Sequence, residues 1–349
     1  MSTRRLTTLS EMMRFTADMR SQAKSLALVP TMGALHEGHL SLIRRAKQEC
    51  NVAVVSIFVN PTQFGPTEDL ARYPRSPEKD LALLESLDVE AVFAPCSREI
   101  YPPDCTTFVD PGHIATVFEG ALRPGHFRGV ATVVLKLFNI VSPDMAFFGQ
   151  KDFQQTVVIR RLVEDLNFPV RIALCPIVRE ADGLAKSSRN VYLNAEDRKA
   201  ALVISRSLKR AEEMTQAGEG NTEKLLEEMR KTFDAEPRAQ LDYAAIVNPT
   251  TLEPVAQVMP GLVALVAARL GTVRLIDNLI FGPPGSTPEQ RLQLALATQP
   301  IDLEFTALSP LGERVDRNRR FLQPGRAGPT PAEGEPASRR QYRLRPAGG

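Results

Sequence analysis

Apolar runs of strand length alternate with amphipathic stretches of helix length through the first half of the chain. Residues 26–30 read as a short buried strand, 31–35 as a turn containing Gly33, and 38–49 as an amphipathic helix. Residues 52–59 are almost continuously apolar, as expected of a parallel strand covered on both faces, and stop at the turn signal Asn60-Pro61. The pattern continues with a helix over 80–87, a strand over 89–94 and a helix over 130–140. A strand over 145–148 ends at Gly149, followed by a helix over 153–165 and a strand over 170–178. Strands alternating with helices in this way predict an α/β fold built on a doubly wound parallel sheet.

After Asn194 the pattern changes. Residues 195–215 and 222–233 are charge-rich amphipathic helices, and 242–247, 262–268 and 273–280 read as strands, the last two joined around Leu270-Gly271-Thr272. The expected organisation is an α/β domain over 1–185, a small α+β domain over 186–282, and an extension over 283–349. Proline, glycine and arginine accumulate in the extension, which is expected to be largely disordered.

Composition narrows the function. With 349 residues, 43% hydrophobic and 24% charged, the chain has the make-up of a soluble globular protein large enough for two domains. No apolar run approaches the roughly 18 residues of a membrane span, and the first ten residues lack the apolar centre of a signal peptide. The four cysteines lie far apart with no C-x-x-C pair, which argues against structural zinc and a disulfide framework and fits a reducing cytoplasm. The net charge of +2 hides an asymmetry: residues 311–349 carry nine arginines and a net +5, leaving about −3 elsewhere. The folded part is therefore no basic platform for nucleic acid. An Arg-rich tail of this kind touches RNA or acidic surfaces in some proteins and is simply solvated in most.

The candidate chemistry sits at strand ends. His36-Glu37-Gly38-His39 follows the first strand of the pattern, and a spacing of three places both imidazoles on one helix face. In an open α/β sheet this is where ligands bind, and a helix N-terminus favours anions. Two histidine donors there suit charge developing on phosphate oxygens. Ordinary surface or core histidines and a pair of metal ligands remain the alternatives, although no third ligand lies nearby in sequence. Lys186-Ser187-Ser188-Arg189-Asn190 offers two hydroxyls and a guanidinium for clamping phosphates, or is plain turn chemistry. In Gly149-Gln150-Lys151-Asp152-Phe153-Gln154-Gln155, Lys151 can reach a phosphate and Asp152 can contact a ribose or merely cap a helix. Asn60-Pro61-Thr62-Gln63 ends a buried strand, and Gln63 offers a donor and acceptors to a polar substrate. Each signal is weak alone. All would face one crevice of a doubly wound sheet, which is the case for a nucleotide site.

These residues also resemble a known family. Residues 30–39 (Pro-Thr-Met-Gly-Ala-Leu-His-Glu-Gly-His), 58–64, Arg123-Pro124-Gly125-His126-Phe127, Phe148 to Asp152, Ser187-Ser188-Arg189-Asn190 and Arg274-Leu275-Ile276-Asp277-Asn278 are similar to the signatures of the pantothenate synthetase (pantoate–β-alanine ligase) family, over about residues 20–280. That family belongs to the nucleotidylyltransferase superfamily. The resemblance implies a Rossmann-like N-terminal domain, a homodimer, and ATP-dependent condensation of pantoate with β-alanine through a pantoyl adenylate, using Mg²⁺.

By the family pattern, Met32, Gly33, Ala34, Leu35, His36, Glu37, Gly38 and His39 line the ATP site, with His39 the general acid or charge stabiliser and His36 beside it. Gly149, Gln150, Lys151 and Asp152 contact ATP, and Val178 meets the adenine. Lys186, Ser187, Ser188 and Arg189 clamp the phosphates. Gln63 holds pantoate and helps bind β-alanine, and Gln155 holds pantoate. No protein side chain is assigned to the metal, and no nucleic acid or membrane partner is expected.

Two departures stand out. Lys186 occupies a position where many members carry an apolar residue, and the chain runs on past residue 283. The alternative reading within the superfamily is an enzyme that transfers a nucleotidyl group to a small substrate and stops there.

Overall fold

The computed structural model describes residues 3–66 and 68–297. Six strands form one parallel sheet: β1 (Arg4–Leu6), β2 (Leu26–Thr31), β3 (Val52–Ile57), β4 (Ala91–Phe93), β5 (Met145–Gly149) and β6 (Arg171–Cys175), in the order β1-β4-β3-β2-β5-β6. Period-two alternation divides the central strands between two cores. Leu26, Leu28, Val52 and Val54 face the helices Leu9–Ser21 and His126–Val141, while Ala27, Val29 and Val55 face the helices Glu37–Glu49 and Pro77–Ser86. Burial on both faces explains why these strands read as unbroken apolar runs. The chain winds outward from β2 through β3 to β4, then returns to lay β5 and β6 on the other side of β2. The gap between the carboxyl ends of β2 and β5 is thus the topological switch point, where open α/β sheets bind ligands.

Three antiparallel strands, β7 (Ala239–Val247), β8 (Val263–Leu270) and β9 (Val273–Ile280), make a separate small sheet. The helices Leu202–Gln216 and Thr222–Asp234 cover one face through Ile204, Leu208, Leu225 and Met229. The other face, with Ala245, Val263 and Leu265, packs on Phe153 and Val157 of the helix Phe153–Asp165 and on Leu292 and Ala295. No helix among the described residues is long and apolar enough to cross a membrane.

Several elements differ from the sequence expectation. The strand expected to reach Val178 ends at Cys175, and the helix expected over 195–215 breaks at Ala201. Within the extension expected to be disordered, Pro288–Ala297 is a helix with Leu292 and Ala295 buried. Its start carries a reciprocal cap: the Thr287 N–H donates to Gln290 Oε1 (2.8 Å), and the Gln290 N–H donates to Thr287 Oγ1 (3.2 Å), with Pro288 at the first helical position. The Arg-rich tail lies outside the described residues.

Candidate active site

The chain leaves β2 through Gly33, whose φ of 83° is open to glycine at no steric cost. The buried Asp80 carboxylate fixes this turn from the neighbouring helix by accepting the N–H groups of Ala34 (2.9 Å) and Leu35 (2.8 Å). His36 is the N-cap of the helix Glu37–Glu49 and therefore stands just outside it. Its Nδ1 accepts the Gly38 N–H at 3.2 Å, and His39 Nδ1 accepts the His36 N–H at 3.3 Å. With each Nδ1 serving as acceptor, the proton of each neutral ring sits on Nε2. The rings stack with centroids 4.1 Å apart. Burial, and then the charge of Lys151, lower the His36 pKa to about 4; burial, and then His36 itself, lower that of His39 to about 3. Both are uncharged Nε2–H donors at neutral pH.

β3 ends in the turn Pro61–Gln63, capped by Asn60, whose side chain accepts the Thr62 N–H and donates to Gln63 Oε1 (3.0 Å) and the Gly129 carbonyl (3.1 Å). The turn sits directly on the helix His126–Val141, where a Cβ on Gly129 would fall 2.4 Å from the Thr62 carbonyl oxygen. β5 ends at Gly149. Asn278 on β9 ties this strand end to the small sheet, donating to the carbonyls of Gln150 (2.9 Å) and Lys151 (3.0 Å) and accepting from the Gln150 side chain (3.0 Å). Lys151 lies 3.3 Å from the Asp152 carboxylate. Burial works against ionisation of Asp152, yet Lys151 and Arg189 hold its pKa below the ordinary value. Beyond β6, an Arg179–Ala185 bridge forms a hairpin anchored by Arg179 on Asp277 (2.6 Å). It delivers the loop in which Ser187 caps a 3-10 turn, Arg189 grips Asp69 with two bonds (3.1 and 3.0 Å), Ser188 Oγ meets Tyr73 OH (3.3 Å) and Lys186 pairs with Glu180 (3.0 Å).

These strand ends enclose one cleft of about 1230 Å³, part of it open to solvent. Of the residues expected from sequence, Met32, His36, Gly38, His39, Gln63, Gly149, Lys151, Asp152, Gln155, Val178, Lys186, Ser187, Ser188 and Arg189 line it. Gly33, Ala34, Leu35, Glu37 and Gln150 do not: Gly33 bonds Thr31, Ala34 and Leu35 bond Asp80, Glu37 faces outward to Arg44, and Gln150 turns to Asn278. Sequence reasoning passed over Tyr73 and an apolar wall of Val130, Val133 and Val134, and it gave no role to Phe58 or Asn60, which stood in segments it singled out. The wall was legible as helix but not as cleft. Tyr73 carries no local signal at all. Among the described residues no three His, Cys, Asp or Glu side chains converge as a metal cage.

The comparisons agree with this geometry. The family profile described as pantoate-beta-alanine ligase matches residues 4–280. A pantothenate synthetase of Roseiflexus castenholzii is 57% identical over 76% of this chain and 96% of its own length, and one of Thermotoga petrophila 54% identical over 79% and 98%. The crystal structure of pantothenate synthetase from Thermus thermophilus superposes with a TM-score of 0.75 at 45% identity, covering 80% of this chain and all of that one. A pantoate-beta-alanine ligase from Francisella tularensis, complexed with beta-gamma ATP and beta-alanine, superposes with a TM-score of 0.67 at 36% identity, covering 80% and 97%.

Proposed function

The chain belongs to the pantoate–beta-alanine ligase family, and on that premise we propose that it joins pantoate to β-alanine through a pantoyl adenylate, with ATP converted to AMP and pyrophosphate. The observation that carries the proposal is the convergence of four strand-end segments on one cleft at the switch point of the parallel sheet.

In the first step a pantoate carboxylate oxygen attacks the α-phosphorus, and the bond from that phosphorus to pyrophosphate breaks. Lys151, Lys186 and Arg189 supply positive charge, and Ser187 and Ser188 supply hydroxyls, on the side where the triphosphate lies. His36 and His39 donate from Nε2 to oxygens gaining negative charge. With pKa values lowered to about 4 and 3, they are neutral donors in the free cleft, which favours charge stabilisation by His39 over general acid catalysis. The turn from Met32 to Gly38 and the segment from Gly149 to Asp152 shape the nucleotide site, and Val178 meets the adenine. Gln63 and Gln155 hold the pantoate polar groups, while its paired methyls lie on the wall of Phe58, Val130 and Val133. Uncharged amides suit a substrate without phosphate, which favours this reading over a nucleotidylyltransferase acting on a phosphorylated partner.

In the second step the uncharged amine of β-alanine, met by Gln63, attacks the acyl carbon. The carbon–oxygen bond to AMP breaks, and the nitrogen loses its proton to solvent. Both steps consist chiefly of positioning and charge stabilisation. Magnesium enters with the nucleotide as part of the substrate. It would be held chiefly by phosphate oxygens, where it would offset their charge, and Asp152 is a carboxylate on the cleft wall near which it would lie. A homodimer in the cytoplasm completes the reading.

An omission assay tests it. AMP and pantothenate should appear together only when ATP, pantoate and β-alanine are all present. A stable nucleotidyl product accumulating without any amine would replace this function with the transferase alternative.

A further inference from the structure

Gln63 is held from behind by a chain of side chains in which every hydrogen-bonding role is determined. The Glu68 carboxylate accepts two bonds from Arg123, from Nε and Nη2, each 2.7 Å. Arg123 Nη1 lies 3.1 Å from His126 Nε2, and a guanidinium has no acceptor, so Nε2 must be the unprotonated nitrogen. His126 Nδ1 therefore carries the proton. It donates that proton to the backbone carbonyl of Gln63 at 2.8 Å, a group that Arg123 Nη2 also approaches at 3.4 Å. On the cleft side, Gln63 Oε1 accepts from Asn60 (3.0 Å), and Nε2 points to the Met32 sulfur (3.2 Å). The Gln63 backbone is thus clamped at its carbonyl and its amide is set by two neighbours, so the direction of the side chain is inherited from the clamp.

We propose that Glu68, Arg123 and His126 are positioning residues for the acid substrate, acting through the Gln63 carbonyl and leaving the nucleotide end of the cleft untouched. The inference rests on the assignment of Gln63 to pantoate. His126 is buried at 9% exposure and lines, with Gln63 and Gln155, a pocket beside the main cleft rather than the main cleft itself. The tautomer is the opposite of that of His36 and His39, whose Nδ1 atoms accept. A purely packing role for His126 would require no particular tautomer.

Two measurements test this. His126→Ala should raise the KM for pantoate about tenfold, the cost of one well-made hydrogen bond, with the KM for ATP changed less than about twofold. His126→Asn, whose amide N–H reaches nearly where Nδ1–H does, should recover most of the loss. Equal rises in both KM values, or no rescue by asparagine, would reduce His126 to a packing residue. The second measurement needs no variant: nitrogen-15 NMR of histidine-labelled wild-type protein, with only four histidines to resolve. It should show His126 protonated on Nδ1 at neutral pH, and an Nε2–H or doubly protonated ring would overturn the clamp even if His126→Ala failed to fold. Wild-type protein that made no pantothenate would sink the assigned function while leaving the tautomer result to stand or fall by itself.

Discussion

On the cleft wall that follows β2, the groups facing the ligand are held by backbone hydrogen bonds: Asp80 accepts the N–H groups of Ala34 and Leu35, and the two histidine rings accept those of Gly38 and His36. On the opposite wall, over 186–192, the cations are held mostly by side chains: Arg189 by Asp69 and Lys186 by Glu180. The difference matters because a bound polyanion competes with carboxylates for lysine and arginine but cannot compete for a buried backbone amide. One wall is set before ligand arrives. The other presents cations whose partners can be exchanged for phosphate oxygens, so closing on the nucleotide costs the fold little. Partly exposed pairs of this kind contribute little to stability, roughly 0–1 kcal/mol each.

Four substitutions or conditions probe this contrast. Lys151→Ala, at the base of the cleft, should lower kcat by about 10²–10³, the usual effect of removing one transition-state charge donor, with the melting temperature unchanged. A loss of a few-fold only would mean that Lys151 does not face the reacting phosphorus. Asp80→Ala strikes the pre-set wall. It leaves two backbone amides without acceptors and should cost about 2–4 kcal/mol in urea denaturation, with activity falling alongside. A variant as stable as wild type would show that the turn does not depend on Asp80. Lys186→Met strikes the exchangeable wall and should weaken ATP binding by a factor of roughly three, with little change in stability. An unchanged dissociation constant in calorimetry would leave the departure from the family pattern without consequence for the nucleotide.

The remaining test concerns acid. His36, His39 and His126 titrate near 4, 3 and 4 in the folded protein, below the histidine value of about 6.5 expected when unfolded. Between those limits the unfolded chain binds more protons, so stability is complete above about pH 6.5 and falls as the pH drops toward 4. The urea midpoint should decrease from pH 7.5 to 5, and less steeply in His126→Asn. A flat profile would contradict the buried, neutral state of these rings.

How much of this was legible in the sequence follows from how local each cause is. The doubly wound sheet was readable because the strands at its centre are buried on both faces and so appear as unbroken apolar runs, as at Val52–Ile57. The helix Leu9–Ser21 was missed although Thr8 and Glu11 form a capping box visible in the sequence, and β1 was missed because three residues carry no period. Most candidate site residues face one cleft because strand ends of a parallel sheet share an edge, a rule of topology that needs no coordinates. The supports were not legible. Asp80 lies 46 residues from Ala34, and Asn278 lies 128 from Gln150, so no local pattern could join them. Gln150 shows the consequence: it was expected to contact ATP, and its side chain bonds Asn278 of the small sheet.

The central claim is that the cleft makes a carboxylate attack the α-phosphorus of ATP. Pantoate labelled with oxygen-18 in its carboxylate tests it most directly, by mass spectrometry of the AMP released during turnover with β-alanine. Each AMP formed should carry one labelled oxygen, because the bridging atom stays with phosphorus when the amine takes the acyl group. Unlabelled AMP from fully labelled pantoate would contradict the claim.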